Sequence, residues 1–283
     1  MPSARELVKE FSDLKTLPHV AIKVTQMISA ESTTMQDFEE VIKLDPILVM
    51  RLLKLVNSPF FGLANKVDSI SKAVVFIGMK NLRNLVAVEA LRDLFNSKAE
   101  EDGFSRQNLW MHSATVAILA QMISQRIFGM EDEDIFLAGI IHDIGLIVED
   151  QLAGDLLREA CALTVSDSRP LIETEGQIIE TNHCKVGSLL CTEWNLPEDV
   201  LGAIKFHHRL DKVSPVPGVT SILQLAEYIA EKMKYGAIPG YVTPLASYLV
   251  PHVKERMTDY KILIKSLPEE MAKAKELYEP PEN

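Results

Sequence analysis

Apolar residues recur at helical spacing along almost the whole chain, and this periodicity is the strongest constraint on its fold. Period-two alternation, which is typical of a half-buried β-strand, is hard to find anywhere. We therefore predict an all-α, multi-helical protein. The 283 residues are 47% hydrophobic and 24% charged, which is ordinary for a globular chain and is enough for one large domain or two smaller ones.

The polar stretch 96–103 (NSKAEEDG) has the composition of a linker. We expect it to separate an N-terminal helical lobe, residues 1–96, from a second helical lobe, residues 104–234. A C-terminal helical extension is expected at 235–283, ending in a frayed tail.

Capping residues and prolines predict individual helix boundaries. In the N-terminal lobe, the first helix is expected to begin at Leu17-Pro18 and the second to be capped by Thr33-Thr34. A third helix is capped by Asp45, has Pro46 in its first turn and ends at Asn57-Ser58-Pro59. Ser69 or Ser71 caps a short fourth helix that ends at Gly78, and a fifth helix is expected at 79–95. Farther on, helices are expected at 104–128, 133–148, 197–208 and 219–234, with Pro239, Pro244, Pro251 and Pro268 dividing the remainder into short helices.

Charge and composition exclude several classes of protein. The net charge of −11 repels phosphate backbones, so we expect no nucleic-acid partner. The longest apolar stretch, Ile135–Val148, is interrupted by His142 and Asp143, so no membrane span is expected. Three cysteines match neither a disulfide framework nor a zinc clip, and no signal peptide opens the chain, which favours the cytoplasm.

One aspartate lies in an unexpectedly apolar segment. Asp143 follows His142 within Leu137–Ile147, and an unpaired buried carboxylate costs several kcal/mol or more. A metal ion is one source of the missing positive charge; a His–Asp hydrogen bond or backbone amides are the alternatives. Gly139 and Gly145 weaken a helix and suggest that other backbones approach closely here.

Five of the seven histidines lie within one 97-residue stretch of the chain. His112 shares a helical stripe with Val116 and Leu119, so its ring is expected to point into the core. Each of the five has an ordinary structural explanation when taken alone, such as a core histidine, a loop residue or a cation at a helix end. Together with Asp143 they form the mixed nitrogen and oxygen donor set that iron, manganese, zinc or nickel prefers: His112, His142, His183, His207 and His208.

Several motifs, in order along residues 14–232, give the chain a specific resemblance. The motifs are Trp110-Met-His112, Ala138-Gly-Ile-Ile-His142-Asp143-Ile-Gly145, Glu180-Thr-Asn-His183-Cys-Lys-Val-Gly187, Trp194-Asn-Leu-Pro197 and His207-His208, preceded by Leu17-Pro18, Asp45-Pro46, Asn57-Ser58 and Ile77-Gly78. This pattern resembles the HDOD branch of the HD superfamily, which is related to the HD-GYP phosphodiesterases. The resemblance implies an HD-like helical bundle with an additional N-terminal lobe.

The catalytic relatives hold a centre of two or three metal ions, and the resemblance therefore implies a site for divalent transition-metal ions (Fe, Mn, Zn or Ni), with two ions as the expectation for this chain. The implied ligands are His112, His142, Asp143, His183, His207, His208 and Glu227, the last standing where the family has an aspartate. Three features depart from the catalytic relatives: Leu146 replaces a lysine, Asn108 replaces a carboxylate, and no Gly-Tyr-Pro insertion follows His208.

Two functions remain open after the sequence analysis. The first is a stand-alone HDOD signalling module that binds a signalling protein or a small phosphorylated ligand in trans, because the match leaves no room for an attached sensor domain. The second is a metal-dependent phosphohydrolase in which His142 and Asp143 are catalytic and the ions activate a water. A purely structural scaffold ranks below both, and the sequence does not predict the oligomeric state.

Three minor features have two interpretations each. Cys184 and Cys191 could sense oxidants beside a metal, or they could be small buried hydrophobic residues. We favour the interpretation as buried hydrophobic residues. Trp110 and Trp194 are expected to be core residues. Asn57-Ser58 is expected to cap its helix, although the resemblance raises a functional groove as the alternative.

Overall fold

The computed structural model describes residues 2–14, 34–42, 45–59, 61–95, 104–194 and 196–274, and these residues form an all-helical protein without β-strands. The helices are α1 (Ala4–Leu14), α2 (Met35–Ile42), α3 (Pro46–Val56), α4 (Ile70–Ile77), α5 (Met79–Arg92), α6 (Arg106–Arg126), α7 (Glu133–Ile141), α8 (Ile144–Asp167), α9 (Leu171–Ile178), α10 (His183–Glu193), α11 (Glu198–Phe206), α12 (Val219–Lys232), α13 (Val250–Glu255) and α14 (Met257–Lys273). The all-α prediction is confirmed.

Predicted caps begin several of these helices. The Asp45 side chain accepts a hydrogen bond from the Leu48 amide at 3.0 Å, and Ser69 accepts one from the Lys72 amide at 3.3 Å. Thr34 and Asp37 form a reciprocal capping box at the start of α2. The predicted helix at Leu17-Pro18, the linker 96–103 and the frayed tail lie outside the described residues, so the division into lobes stays a prediction.

Helix α1 was missed by the sequence analysis. Its cap is a Ser-x-x-Glu box in which the Ser3 amide donates to the Glu6 carboxylate at 2.7 Å. Leu7, Val8 and Phe11 are buried, and α1 packs against α8 and α10. The capping box followed by this apolar stripe was the signal that could have located the helix.

The continuous helix predicted at 133–148 is wrong. Helix α7 ends at Ile141, and α8 starts at Ile144, with the His142–Asp143 pair in the turn between them. The break has a local cause, because Asp143 leaves helical geometry (φ −99°, ψ 15°) and His142 Nδ1 bonds the Gly139 carbonyl at 2.8 Å. The His142–Asp143 pair therefore marks the break between the two helices.

The prolines divide the C-terminal region less than predicted. Pro251 lies in the first turn of α13, as expected, but Pro268 lies inside α14. An interior proline costs a helix about 3 kcal/mol. Leu263 and Leu267 on α14 are fully buried where it packs on α6, and this burial offsets the lost hydrogen bond.

Helix α6 is the centre of the fold, because α7, α12 and α14 all pack on it and nearly all its faces are buried. Its buried Arg106 donates to Asp150 on α8 and to the Leu94 carbonyl at 3.0 Å, which joins residues on both sides of the predicted linker. Trp110 lies edge-on to Phe95 in this core.

The Asn57 side chain stabilises a loop. It donates to the Leu53 carbonyl at 2.6 Å and to the Val67 carbonyl at 2.7 Å, and its Oδ1 accepts from the Val67 amide at 2.8 Å. Asn57 thus closes α3 and holds the following loop against it, as its cap-like position predicted.

Candidate metal centre

All seven predicted ligands converge at one buried place, although they come from widely separated segments. His112 lies on α6, the His142–Asp143 pair joins α7 to α8, His183 begins α10, His207 and His208 follow α11, and Glu227 lies on α12. Their donor atoms form two adjacent groups, each compact enough to hold an ion: His112, His142 and Glu227; and Asp143, His183, His207 and His208.

Two glycines allow these segments to approach one another. A Cβ on Gly139 would collide with the backbone of Ala117 on α6, and a Cβ on Gly145 would collide with the His183 carbonyl at the start of α10. The close approaches expected from the sequence are therefore present. Gly145 is the contact that places His183 beside Asp143.

Asp143 occupies a bridging position. Its Oδ2 is 3.2 Å from His142 Nε2 and 3.6 Å from His112 Nε2. Its Oδ1 is 3.4 Å from His183 Nε2 and 3.3 Å from His207 Nε2, yet it accepts no hydrogen bond from any described residue. Each carboxylate oxygen therefore faces its own pair of imidazoles.

Hydrogen bonds on the outer side orient the rings. The Nδ1 atoms of His112, His142 and His207 lie 2.7–2.8 Å from backbone carbonyls, those of Tyr235, Gly139 and Ile204 respectively. A carbonyl only accepts, so Nδ1 carries a proton, and whenever the ring is neutral Nε2 offers its lone pair toward Asp143. This arrangement is typical of metal-binding histidines.

Burial keeps most of these rings neutral, which is the form that binds a metal. It lowers the pKa of His112 and of His207 to about 4 and lowers the pKa of His183 and His208 as well. Burial works against the charge on Asp143, but the positive charge of the adjacent His142, whose own pKa Asp143 raises against the effect of burial, holds the Asp143 pKa well below its usual range. Asp143 is thus an anion among imidazoles.

Two buried glutamates lie behind His183, and the sequence analysis missed both. The Glu175 carboxylate is 2.8 Å from His183 Nδ1. Burial raises the Glu175 pKa to about 8, and burial together with the charge of Glu175 raises the Glu149 pKa well above its usual value. The one available signal was Glu149 itself, a glutamate that follows the apolar run Ile144–Val148.

The thiols are buried. Cys184 Sγ lies 3.4 Å from His183 Nε2, and burial raises its pKa well above the ordinary value, as it does for Cys191. Such thiols are protonated and behave as small apolar groups. This supports the buried-hydrophobe interpretation, although Cys184 lies at the edge of the centre.

A cavity of about 600 Å³ adjoins the second group of ligands. His208 and Cys184 lie at its inner end. Its lining includes Arg5 on α1, Lys185 on α10, and Lys205 and Arg209 at the end of α11.

The departures from the catalytic pattern are also visible. Leu146 is buried in the core, and Asn108 is exposed in the first turn of α6, where its amide donates to the Ser105 cap. Neither residue belongs to the two groups of candidate ligands.

An all-helical fold with a His–Asp pair at a helix break, surrounded by further imidazoles, defines a protein of the HD superfamily. The model of the HDOD domain matches residues 14–210, so the chain belongs to the HDOD family. This confirms the resemblance drawn from the motifs.

Solved structures share the fold. An HDOD domain protein from Geobacter sulfurreducens aligns with a TM-score of 0.73 and 23% identity over 96% of this chain and 97% of that one. A predicted phosphohydrolase from Shewanella amazonensis SB2B aligns with a TM-score of 0.70 and 22% identity over 96% of each chain.

One curated relative, an uncharacterized protein of Treponema pallidum (strain Nichols), is 26% identical over 211 residues. The match covers 73% of this chain and 40% of that protein, so this chain spans less than half the length of the relative. None of the helices in the described ranges has the length and apolar character needed to cross a bilayer.

Proposed function

We propose that this chain is an HDOD regulatory module in which Asp143 and the imidazoles around it would hold two divalent transition-metal ions. The observation that carries the proposal is the position of the Asp143 carboxylate. Its two oxygens face separate pairs of imidazoles, and the ion pairs it makes with described residues all involve histidines. A buried carboxylate in such surroundings is best neutralised by cations.

We assign one ion to each of the two groups of candidate ligands. The first ion would be held by His112, His142 and Glu227, and the second by His183, His207 and His208. His208 Nε2 is 3.3 Å from the Glu227 carboxylate, so the two groups are contiguous. Imidazoles with a few carboxylates suit Fe, Mn, Zn or Ni.

A second observation also indicates that these residues fit metal ions. Asp143 Oδ1 is buried and accepts no hydrogen bond from the described residues, although such an oxygen normally has a partner. A bound cation would supply that partner. Bound ions would activate a water and polarise a phosphoryl oxygen.

Two departures from the catalytic relatives favour a regulatory role over catalysis. Leu146 stands where those relatives have a lysine, and Asn108 stands where they have a carboxylate. In this role, the module would respond to a signalling protein or to a small phosphorylated ligand. Three buried free cysteines suit the reducing cytoplasm.

A metal-dependent phosphohydrolase is the second candidate, and the cavity favours it. The cavity reaches His208 and has basic side chains in its lining, so a phosphate ester could approach the ions. In this case, His142 and Asp143 would hold the ions that polarise the substrate.

Elemental analysis of protein purified without chelators tests the proposal. We expect two transition-metal ions per chain, fewer in His112→Ala and in His183→Ala, and an unchanged number in the control His252→Ala, whose ring stacks on Phe128 outside the centre. A metal-free protein under loading with Fe, Mn, Zn and Ni would refute it.

A hydrolysis assay on the loaded protein then separates the two candidates. Steady turnover of a phosphate monoester or diester that is lost in Asp143→Asn would establish the phosphohydrolase. A fully loaded protein without turnover would favour the regulatory module.

A further inference from the structure

Helix α1 forms one wall of the cavity beside the metal centre. Ser3, Ala4 and Arg5 line the cavity from one side, and residues of α10 and α11 line it from the other. The family match starts at residue 14, so this wall lies outside the part of the chain that the family model describes. One wall of the cavity is therefore built by a segment of this chain that the family model does not cover.

From this geometry, we infer that α1, α10 and α11 together form a binding site for an organic phosphate whose phosphate group lies against the basic side chains. The inference rests on the proposed function in one respect, because it places the ligand beside the proposed metal centre. It adds the residues that recognise the ligand, an apolar subsite for its organic group, and a role for α1.

The charge of the lining supports an anionic ligand. Four basic residues and no aspartate or glutamate occur among the described lining residues, in a chain whose net charge is −11. Arg209 is neutralised by a two-pronged ion pair with Asp211, but Arg5, Lys185 and Lys205 form no ion pair with a described residue. Three positive charges therefore face one cavity, and they concentrate anions there.

The rest of the lining supports an organic group on that phosphate. Ala4, Ile172, Leu189 and Phe206 contribute apolar surface. The volume of about 600 Å³ lies within the range of sites that enclose one small organic molecule. Inorganic phosphate alone would leave the apolar part of this cavity unfilled.

The placement of α1 links the ligand to the helical core. Leu7, Val8 and Phe11 hold α1 against the core, and Ser12 near its end donates to Glu193 of α10 at 3.2 Å. A ligand that contacts Arg5 together with Lys185 and Lys205 would join the first turn of α1 to α10 and α11. Ligand binding should therefore stabilise α1.

Calorimetric titration tests the inference with phenylphosphonate, which carries a non-hydrolysable phosphorus–carbon bond. The metal content of each sample is measured first. We expect phenylphosphonate to bind at least ten-fold more tightly than inorganic phosphate, because the ring fills the apolar part, and neutral benzyl alcohol to bind far more weakly. The doubly substituted K185Q/K205Q variant should lose at least ten-fold in phenylphosphonate affinity with unchanged metal content.

The matched control K261Q/K265Q removes the same two charges from exposed positions of α14, outside the cavity, and should bind phenylphosphonate within two-fold of the wild type. Hydrogen exchange provides the second readout: phenylphosphonate should slow amide exchange in residues 4–14, and Arg5→Gln should reduce that protection.

The outcomes separate the two proposals. Full metal content without phenylphosphonate binding, or binding that survives K185Q/K205Q, would overturn the cavity site and leave the metal centre intact. Phenylphosphonate binding through Lys185 and Lys205 by a protein that holds no metal would uphold the cavity and contradict the proposed function. Absence of both metal and phenylphosphonate binding would overturn both.

Discussion

The substitution Gly145→Ala is expected to damage the metal centre through the backbone alone. An alanine Cβ at this position would collide with the His183 carbonyl oxygen and would lie 2.7 Å from the His183 carbonyl carbon and 2.8 Å from its Cα. Ordinary contact begins near 3.4 Å, so the carbonyl carbon alone requires α8 and the start of α10 to separate by at least about 0.7 Å, and the nearer carbonyl oxygen requires more. No side-chain rotation relieves the collision, because the atoms involved belong to the backbone.

Two opposing effects set the magnitude. Overpacking of this kind costs about 1–3 kcal/mol, and the contact with three backbone atoms places Gly145→Ala at the upper end. Alanine returns at most about 1 kcal/mol of helix propensity. We expect the free energy of unfolding of the metal-free protein to fall by about 2 kcal/mol, measured by urea denaturation.

Metal binding should be affected more specifically. Ligand distances tolerate about 0.2 Å of deviation, so a displacement of about 0.7 Å should detach His183 from the second ion. We expect about ten- to hundred-fold weaker binding of that ion, measured by competition with a chelator, whereas the first ion should be retained.

Gly176→Ala is the matched control. Gly176 also lies inside a helix, α9, but a Cβ there would meet no other atom within 4 Å. It should leave metal binding unchanged and should stabilise the protein slightly. If Gly145→Ala proved as stable as Gly176→Ala and kept both ions, the role assigned to the contact between Gly145 and His183 would be refuted.

Three further predictions follow from the hydrogen bonds and the burial. Glu175→Ala should weaken metal binding about ten-fold because His183 loses its orienting partner, whereas Glu175→Gln keeps an accepting oxygen and should restore most of the affinity; equal losses in a metal titration would contradict this. Burial lowers the pKa of His112 and His207 to about 4, so between pH 6.5 and pH 4 each of these rings takes up a proton in the unfolded chain but not in the folded metal-free chain, whereas the raised pKa of Glu175 acts in the opposite sense; the metal-free His112→Gln variant, which lacks one such ring, should therefore lose less stability than the wild type between pH 6.5 and pH 4 in urea denaturation, and parallel profiles would refute the burial effect. Asn57→Ala removes three hydrogen bonds to backbone and should cost about 2 kcal/mol by thermal or urea unfolding, while a loss below about 0.5 kcal/mol would show that the loop is held by other contacts.

Helix existence and the convergence of the histidines could be predicted from the sequence for physical reasons. His112 shares an apolar stripe at helical spacing, which predicts that its side chain is buried in the core, and the structure confirms that burial. The negative charge of Asp143, which lies in an apolar segment, must be compensated in any fold that buries it. The expectation of a positively charged partner therefore depended only on electrostatics. The seven candidate residues could be named together because of their resemblance to a family pattern.

The break at His142–Asp143 could not be predicted from the same pattern. Periodicity reports which residues are apolar, and Ile135–Val148 is apolar on both sides of the His142–Asp143 pair, so the pattern carries no sign of the turn. At the turn, His142 Nδ1 bonds the Gly139 carbonyl one turn earlier, and the pattern of apolar residues does not determine this side-chain conformation. Pro268 shows the opposite case, in which packing of α14 overrides a local helix breaker.

The outer glutamates were missed for another reason. Glu175 lies on α9, and nothing near it in the sequence marks it as the partner of His183, eight residues later. Its role depends on how α9 packs against α8 beside the start of α10. A sequence pattern describes the faces of one helix at a time, whereas the contact between Glu175 and His183 forms only where the three helices α8, α9 and α10 meet.

The wide separation of the candidate ligands along the chain couples metal supply to folding. Any ion held jointly by residues as distant as His112 and Glu227 closes long loops of the polypeptide, and the unfolded chain cannot offer those donors at one point. Above the dissociation constant, each ten-fold rise in free metal would then add about 1.4 kcal/mol to the folded state. The abundance of the folded protein would thus follow the availability of the ion.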